Sequence, residues 1–212
     1  MARADAIAGA GSDRRERAGD EPGRLSLVSR LALSVFGAMM LGFAAQIAIP
    51  LWPYGLPQSL QTLAVLLIAI GLGPKLGSLS LVIYLGVGAL GAGVFAEGEA
   101  GFVVLFGQTG GYLLGFLLCQ PLVAKIVRRR DGSVRGWLAL VLAGVAAHGL
   151  IYALGVPWLY FLRNMDPGLD PISWRNAILY GMVAFLPWDA AKTALAVVIG
   201  RWMLPRAMRR VW

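Results

Sequence analysis

Six apolar runs dominate the chain and leave few folds open to it: Leu31–Ile49, Ser59–Gly73, Leu76–Gly91, Thr109–Val127, Trp137–Val156 and Asn176–Met203. Charge, proline or glycine bounds each one. About 20 apolar residues rising ~1.5 Å each carry a helix across a ~30 Å hydrocarbon core. The composition fits, with 58% hydrophobic and only 14% charged residues and a mean hydropathy of +0.70. Soluble domains hold about 45–50% apolar and about 25% charged residues, so a water-soluble enzyme is excluded. We read an all-α integral membrane protein with six transmembrane helices. The second run reaches only ~22 Å, so it must be sunk, tilted or supported by its neighbours.

Residues 1–24 are polar, carry both signs of charge and lack periodicity, which predicts a disordered cytoplasmic tail before a membrane domain at 25–212. The first run and its charged lead are both long for a signal peptide, so the run is read as an uncleaved helix. Lys and Arg sort sharply. Sixteen of the 19 flank the termini and the turns after the second and fourth runs, whereas Arg163 and Arg175 alone lie on the opposite side. The positive-inside rule puts both termini in the cytoplasm. The net charge of +8 is thus membrane-flanking, and it forms no groove with interleaved aromatics for nucleic acid. Cys119 and His148 are each the only residue of their kind. No internal disulfide and no clustered metal site follow from them.

Asp189 and Lys192 are the only charges more than three residues from the end of a run. A charge there costs at least ~2.5 kcal/mol on insertion scales and usually marks a functional site. Their i, i+3 spacing puts both on one helix face. With Pro187 opening a helix half, Asp189 falls in the first turn, where the helix dipole favours an anion. The competing reading is a salt bridge that only fixes packing. Gln58 to Thr62 supply neutral donors and acceptors at membrane depth, or a helix cap at Ser59. Gly107 to Tyr112 open the fourth run with glycines that permit close backbone approach, either for packing or for a ligand. Ser34, Ala38 and Gly42 recur every four residues, a small-residue stripe suited to another helix of this chain or of a partner. His148 is read as a structural histidine, the alternative being a membrane-embedded hydrolase that uses it.

These motifs in order resemble the BioY family of substrate-binding (S) components of energy-coupling factor (ECF) transporters. The resemblance covers about residues 30–203. It rests on Pro-Gln-Ser-Leu-Gln-Thr-Leu-Ala-Val-Leu-Leu at 57–67, Leu-Gly-Pro-Lys-Leu-Gly at 72–77 and Tyr-Leu-Gly-Val-Gly-Ala-Leu-Gly-Ala-Gly-Val-Phe-Ala at 84–96. It continues in Gly-Gln-Thr-Gly-Gly-Tyr-Leu-Leu-Gly-Phe at 107–116, Gly-Val-Pro-Trp at 155–158 and Pro-Trp-Asp-Ala-Ala-Lys at 187–192. Gln108 stands where the family usually has proline, and Trp188 where it often has glycine. The resemblance implies an S-component fold with a biotin pocket open to the outside, and no cofactor. It implies a membrane T-component and ABC-type ATPases as partners, met by small residues of the first helix (here Ser34, Ala38 and Gly42), or action alone, as a homo-oligomer. It also implies that Asp189 and Lys192 contact the polar groups of biotin. Gln61, Thr62, Gln108, Thr109 and Tyr112 are expected as neutral partners. Trp52, Phe95 and Trp158 are expected as apolar walls.

Overall fold

Ser26 starts the first helix by accepting the Ser29 N–H on its hydroxyl at 3.1 Å, a side-chain cap for an otherwise orphaned donor. The computed structural model describes residues 25–51, 53–54, 56–129 and 133–202. The expected tail, Trp52 and everything after Trp202 lie outside these residues. Helix α1 (Leu27–Gln46) has 20 residues, ~30 Å along the axis and one bilayer core in length.

The small-residue stripe of α1 is covered by this chain itself. Ser34, Gly37, Ala38 and Gly42 are buried. The Ser34 hydroxyl donates to the Arg30 carbonyl at 3.0 Å and lies 3.5 Å from that of Leu76. A Cβ on Gly37 would meet the Ser80 hydroxyl at 2.5 Å. The expectation that Ser34, Ala38 and Gly42 contact a partner helix is therefore corrected: they seat α1 on its own neighbours. Val35, Phe36, Met39 and Phe43 form the outward face.

Pro50, Pro53 and Pro57 keep the next segment from continuing as helix. It forms instead a two-stranded antiparallel hairpin, β1 (Ala48–Leu51) with β2 (Leu56–Ser59), in which Pro50 sits opposite Pro57. This hairpin is the exception to an otherwise helical fold. It stays a small isolated ribbon because proline offers no N–H to a further strand.

Helix α2 (Gln61–Ala89) is one element that doubles back. Gly73 takes φ 79°, a left-handed value open to glycine without cost, and Pro74 restarts the helix where its missing N–H is harmless. The side-chain amide of Gln61 donates to the Tyr84 hydroxyl at 2.8 Å. Twenty-three residues of straight helix would separate them by ~34 Å, so the arms 61–72 and 74–89 lie antiparallel. The described residues thus contain five stretches long and apolar enough to cross a membrane, one of them folded into two arms, in agreement with the six runs. The first arm is short. It is sunk among its neighbours, with Val65, Ile68, Ala69 and Ile70 at most 2% exposed. Its C-terminal carbonyls are met by the buried Arg128, whose Nη2 donates to Ile70 O at 3.0 Å, a cation at the negative end of a helix.

The stretch after α2 turns through Gly91, Gly98 and Gly101, all at positive φ, and brings Phe95 edge-on to Tyr84 at 5.4 Å. A single helical turn, α3 (Phe102–Phe106), leads to α4 (Gly110–Val127) and, after a basic loop, to α5 (Trp137–Met165). The glycines of α4 serve helix packing. A Cβ at Gly111 would run into the Cβ of Trp158, and one at Gly115 would stand 2.7 Å from Ile151 Cα. Small residues at this spacing let two membrane helices touch backbone to side chain. The last stretch starts at α6 (Trp174–Ile178), passes through a π-helical turn at Leu179–Val183 and ends in α7 (Leu186–Trp202). The break falls just before Pro187, so Asp189 lies in the first turn of α7, as the spacing predicts.

Candidate functional site

Asp189 is the hub of a buried polar cluster drawn from four elements. Its Oδ1 lies 2.6 Å from Lys192 Nζ and accepts the Thr62 hydroxyl of α2 at 2.9 Å. Its Oδ2 accepts the Tyr152 hydroxyl of α5, and His148 Nε2 stands 3.5 Å from the same oxygen. Lys192 Nζ also donates to the Ser59 carbonyl at the end of β2, at 2.8 Å. Asp189 is 4% and Lys192 7% exposed. Such a pair persists away from water because each charge is neutralised and its remaining valences are hydrogen-bonded. The hairpin turns out to be part of the site, since β2 delivers the Ser59 carbonyl to Lys192.

The cluster lines one region of a cavity with about 70 Å³ of water-accessible space. Leu56, Phe95, Val104, Leu113, Phe116, Ile151 and Phe185 give it apolar walls. Gln61 closes another polar corner, accepting from the Ser59 hydroxyl at 2.8 Å while its amide binds Tyr84. Gln58 Oε1 is buried on this lining without a hydrogen-bond partner among the described residues. A buried orphan acceptor costs free energy unless a donor reaches it, so it is suited to a ligand N–H. The arrangement offers a carboxylate and an amide oxygen for donors, an ammonium for an acceptor or anion, and apolar surface for the rest.

Of the expected site residues, Gln61, Thr62, Thr109, Tyr112, Asp189, Lys192 and the wall Phe95 are brought to this lining. Gln108 and Trp158 are not. The Gln108 Oε1 accepts from Arg163 Nη1 at 2.5 Å and faces an outer groove that it shares with Tyr54, Asp166 and Leu169. Arg163 also donates to the Asp170 carbonyl at 3.0 Å and sits 4.6 Å over the Tyr54 ring, so Gln108 is tied into the loops at the mouth. Trp158 donates from Nε1 to the Gly107 carbonyl at 2.8 Å and presses on Gly111, which makes it a strut between α4 and α5. Trp52 lies outside the described residues. Sequence reasoning missed Tyr152 and Tyr84. Tyr152 carried a usable signal, since it stands one helical turn after His148 on the same face. For the hydrolase alternative, the ring of His148 is held by the Gly144 carbonyl and faces Asp189. No serine or cysteine hydrogen-bonds it among the described residues, and nothing supports that alternative.

The model of the BioY family matches residues 16–210. A biotin transporter BioY of Thermotoga maritima is 38% identical over 165 residues, covering 78% of this chain and 89% of that protein. A probable biotin transporter BioY of Pyrococcus horikoshii is 33% identical, covering 81% of this chain and 92% of the other. The crystal structure of an S-component for biotin from an ECF-type ABC transporter superposes with a TM-score of 0.71 at 25% identity, covering 82% of this chain and 89% of that one.

Proposed function

The chain belongs to the BioY family, and we propose that its cavity is the site where biotin binds for uptake across the membrane. The family consists of transporter components, not enzymes. The observation that carries the reading is the Asp189–Lys192 pair on the lining of an otherwise apolar cavity. Biotin presents two ureido N–H donors and a ureido carbonyl on an apolar bicycle, with an acidic tail. Asp189 and the orphan Gln58 oxygen accept the N–H groups. Lys192 donates to the carbonyl or carboxylate, and Phe95, Phe116 and Ile151 cover the bicycle. The two charges neutralise each other, and the ligand takes over part of that pairing. Thr62, Tyr152, Gln61, Thr109 and Tyr112 complete the polar shell.

The likeness to an ECF S-component supports a partnership with a membrane T-component and ATPases in general. Action alone, as a homo-oligomer, is the other arrangement, and co-purification with the tagged chain separates them. The apolar helices support a multi-pass membrane protein, and the Lys and Arg asymmetry supports a cytoplasmic membrane with both termini inside. The test of the reading is equilibrium titration of labelled biotin onto detergent-purified, monodisperse chain. Saturable binding that unlabelled biotin displaces is expected. A folded chain that binds no biotin overturns it.

A further inference from the structure

A buried imidazole stands behind Asp189, off the cavity lining. His148 Nδ1 lies 2.9 Å from the Gly144 carbonyl oxygen. A carbonyl only accepts, so Nδ1 carries a hydrogen. Nε2 then stands 3.5 Å from Asp189 Oδ2 and has no hydrogen-bond partner among the described residues. In the neutral ring Nε2 is a lone pair aimed at a carboxylate, two acceptors facing each other. In the doubly protonated ring the same vector is a charge-assisted donor.

The groups facing His148 are few. From α7 come Asp189, which carries Lys192 on its other oxygen, and the Thr193 hydroxyl, 3.5 Å from Nδ1. From α5 itself comes Tyr152, whose hydroxyl is spent on Asp189. On α4 the Tyr112 hydroxyl is turned elsewhere, donating to the Gly181 carbonyl at 2.8 Å. From α2 the uncharged Thr62 reaches the cluster through Asp189 Oδ1, to which its hydroxyl donates at 2.9 Å. With His148 neutral, Asp189 and Lys192 cancel. With His148 charged, the cluster holds an excess positive charge in an apolar interior, which is costly. An anion in the adjoining cavity removes that excess.

We propose that His148 is a proton site linked to ligand binding: an anionic ligand entering the Asp189–Lys192 cavity is accompanied by protonation of His148 Nε2. The inference rests on the reading of that cavity as the biotin site. The step breaks no bond within the protein or the ligand. A proton from the buffer acid, which leaves as its conjugate base, adds to the Nε2 lone pair, the biotin carboxylate supplies the balancing charge within the protein, and Asp189 Oδ2 accepts the new N–H.

The experiment is calorimetric titration of the purified full chain at about pH 8 and about pH 6, the interval over which an imidazole changes charge. The biotin Kd is expected to fall toward the lower pH, by up to about tenfold per unit. The heat of binding is expected to vary with the ionisation enthalpy of the buffer. Biotinamide, neutral throughout, is expected to bind wild-type protein with the same Kd at both pH values. His148→Gln is expected to bind biotin without pH dependence. A flat biotin Kd in wild type overturns the proposal, as does an equal slope for biotinamide or a slope that survives in His148→Gln. The biotinamide comparison needs no variant, so it decides the matter even where His148→Gln fails to fold. Absence of biotin binding at every pH overturns the binding-site reading and this inference together.

Discussion

Asp189 and Lys192 each lose their counter-charge when the other is removed, so single substitutions there act on stability and on binding at once. Asp189→Asn strands the Lys192 ammonium, whose remaining partner is the Ser59 carbonyl. Lys192→Met strands a carboxylate. Breaking a buried pair from one side costs about 3–5 kcal/mol, and each single variant is expected to melt at a lower temperature in detergent. Each is also expected to weaken biotin binding by about 1–3 kcal/mol, because a buried ligand group loses its partner. The double variant is expected to lose less than the two single losses combined, since the residues pair with each other. Wild-type affinity in both monodisperse single variants would make the pair structural only. Tyr152→Phe removes one donor to Asp189 and keeps the ring, so it is expected to weaken binding with little change in melting, read by the same titration. The pair itself was legible in the sequence, because a charge inside a membrane segment is costly and is kept mainly where it serves a site. Gln108 and Trp158 were not. A motif gives their order along the chain, whereas their direction is set by Arg163 and Gly107, contacts more than 45 residues away.

Gly111 and Gly115 decide how closely α4 approaches α5. The added Cβ at Gly115 would stand 2.7 Å from a backbone atom, Ile151 Cα, and backbone cannot swing aside as a side-chain end can. Gly115→Leu is therefore expected to destabilise by at least about 1–3 kcal/mol through overpacking and to push Ile151 and Tyr152 out of register with Asp189. Gly149, on the same helix α5, has open space where a Cβ would stand, with no atom within 4 Å. There Gly149→Ala is expected to be neutral or to stabilise by up to about 1 kcal/mol through helix propensity. Thermal unfolding in detergent checks both, and equal melting of the two variants would show that the glycines do not set the helix spacing. The runs and their ends were readable because proline and glycine punctuate them. The hairpin was not, because Pro50 and Pro57 announce a break without saying that the two flanks pair. The stripe on α1 was half readable: spacing names its small face, but only the packed chain shows that Leu76 and Ser80 cover it.

At the scale of the whole molecule, two ends can be told apart. Arg128 binds the carbonyl of Ile70 next to the Gly73 turn, so the Lys75 turn and the basic 128–135 loop share one end. Arg163 gathers Gln108, Tyr54 and the 166–173 loop at the other. The cavity lining shares Leu56, Pro57 and Thr109 with the groove that contains Gln108 and Tyr54, so its mouth belongs to the end poor in basic residues. The positive-inside rule turns that geometry into an expected direction, with the mouth outward. Cys119 is 0% exposed and is the only native cysteine, so introduced thiols are read without background. Gly168→Cys, in the loop beyond α5, is expected to react with a membrane-impermeant maleimide in intact cells. Lys75→Cys, in the turn of α2, is expected to react only after the membrane is opened. The reverse pattern would turn the molecule over, place the mouth in the cytoplasm, and remove the route by which an external ligand reaches Asp189.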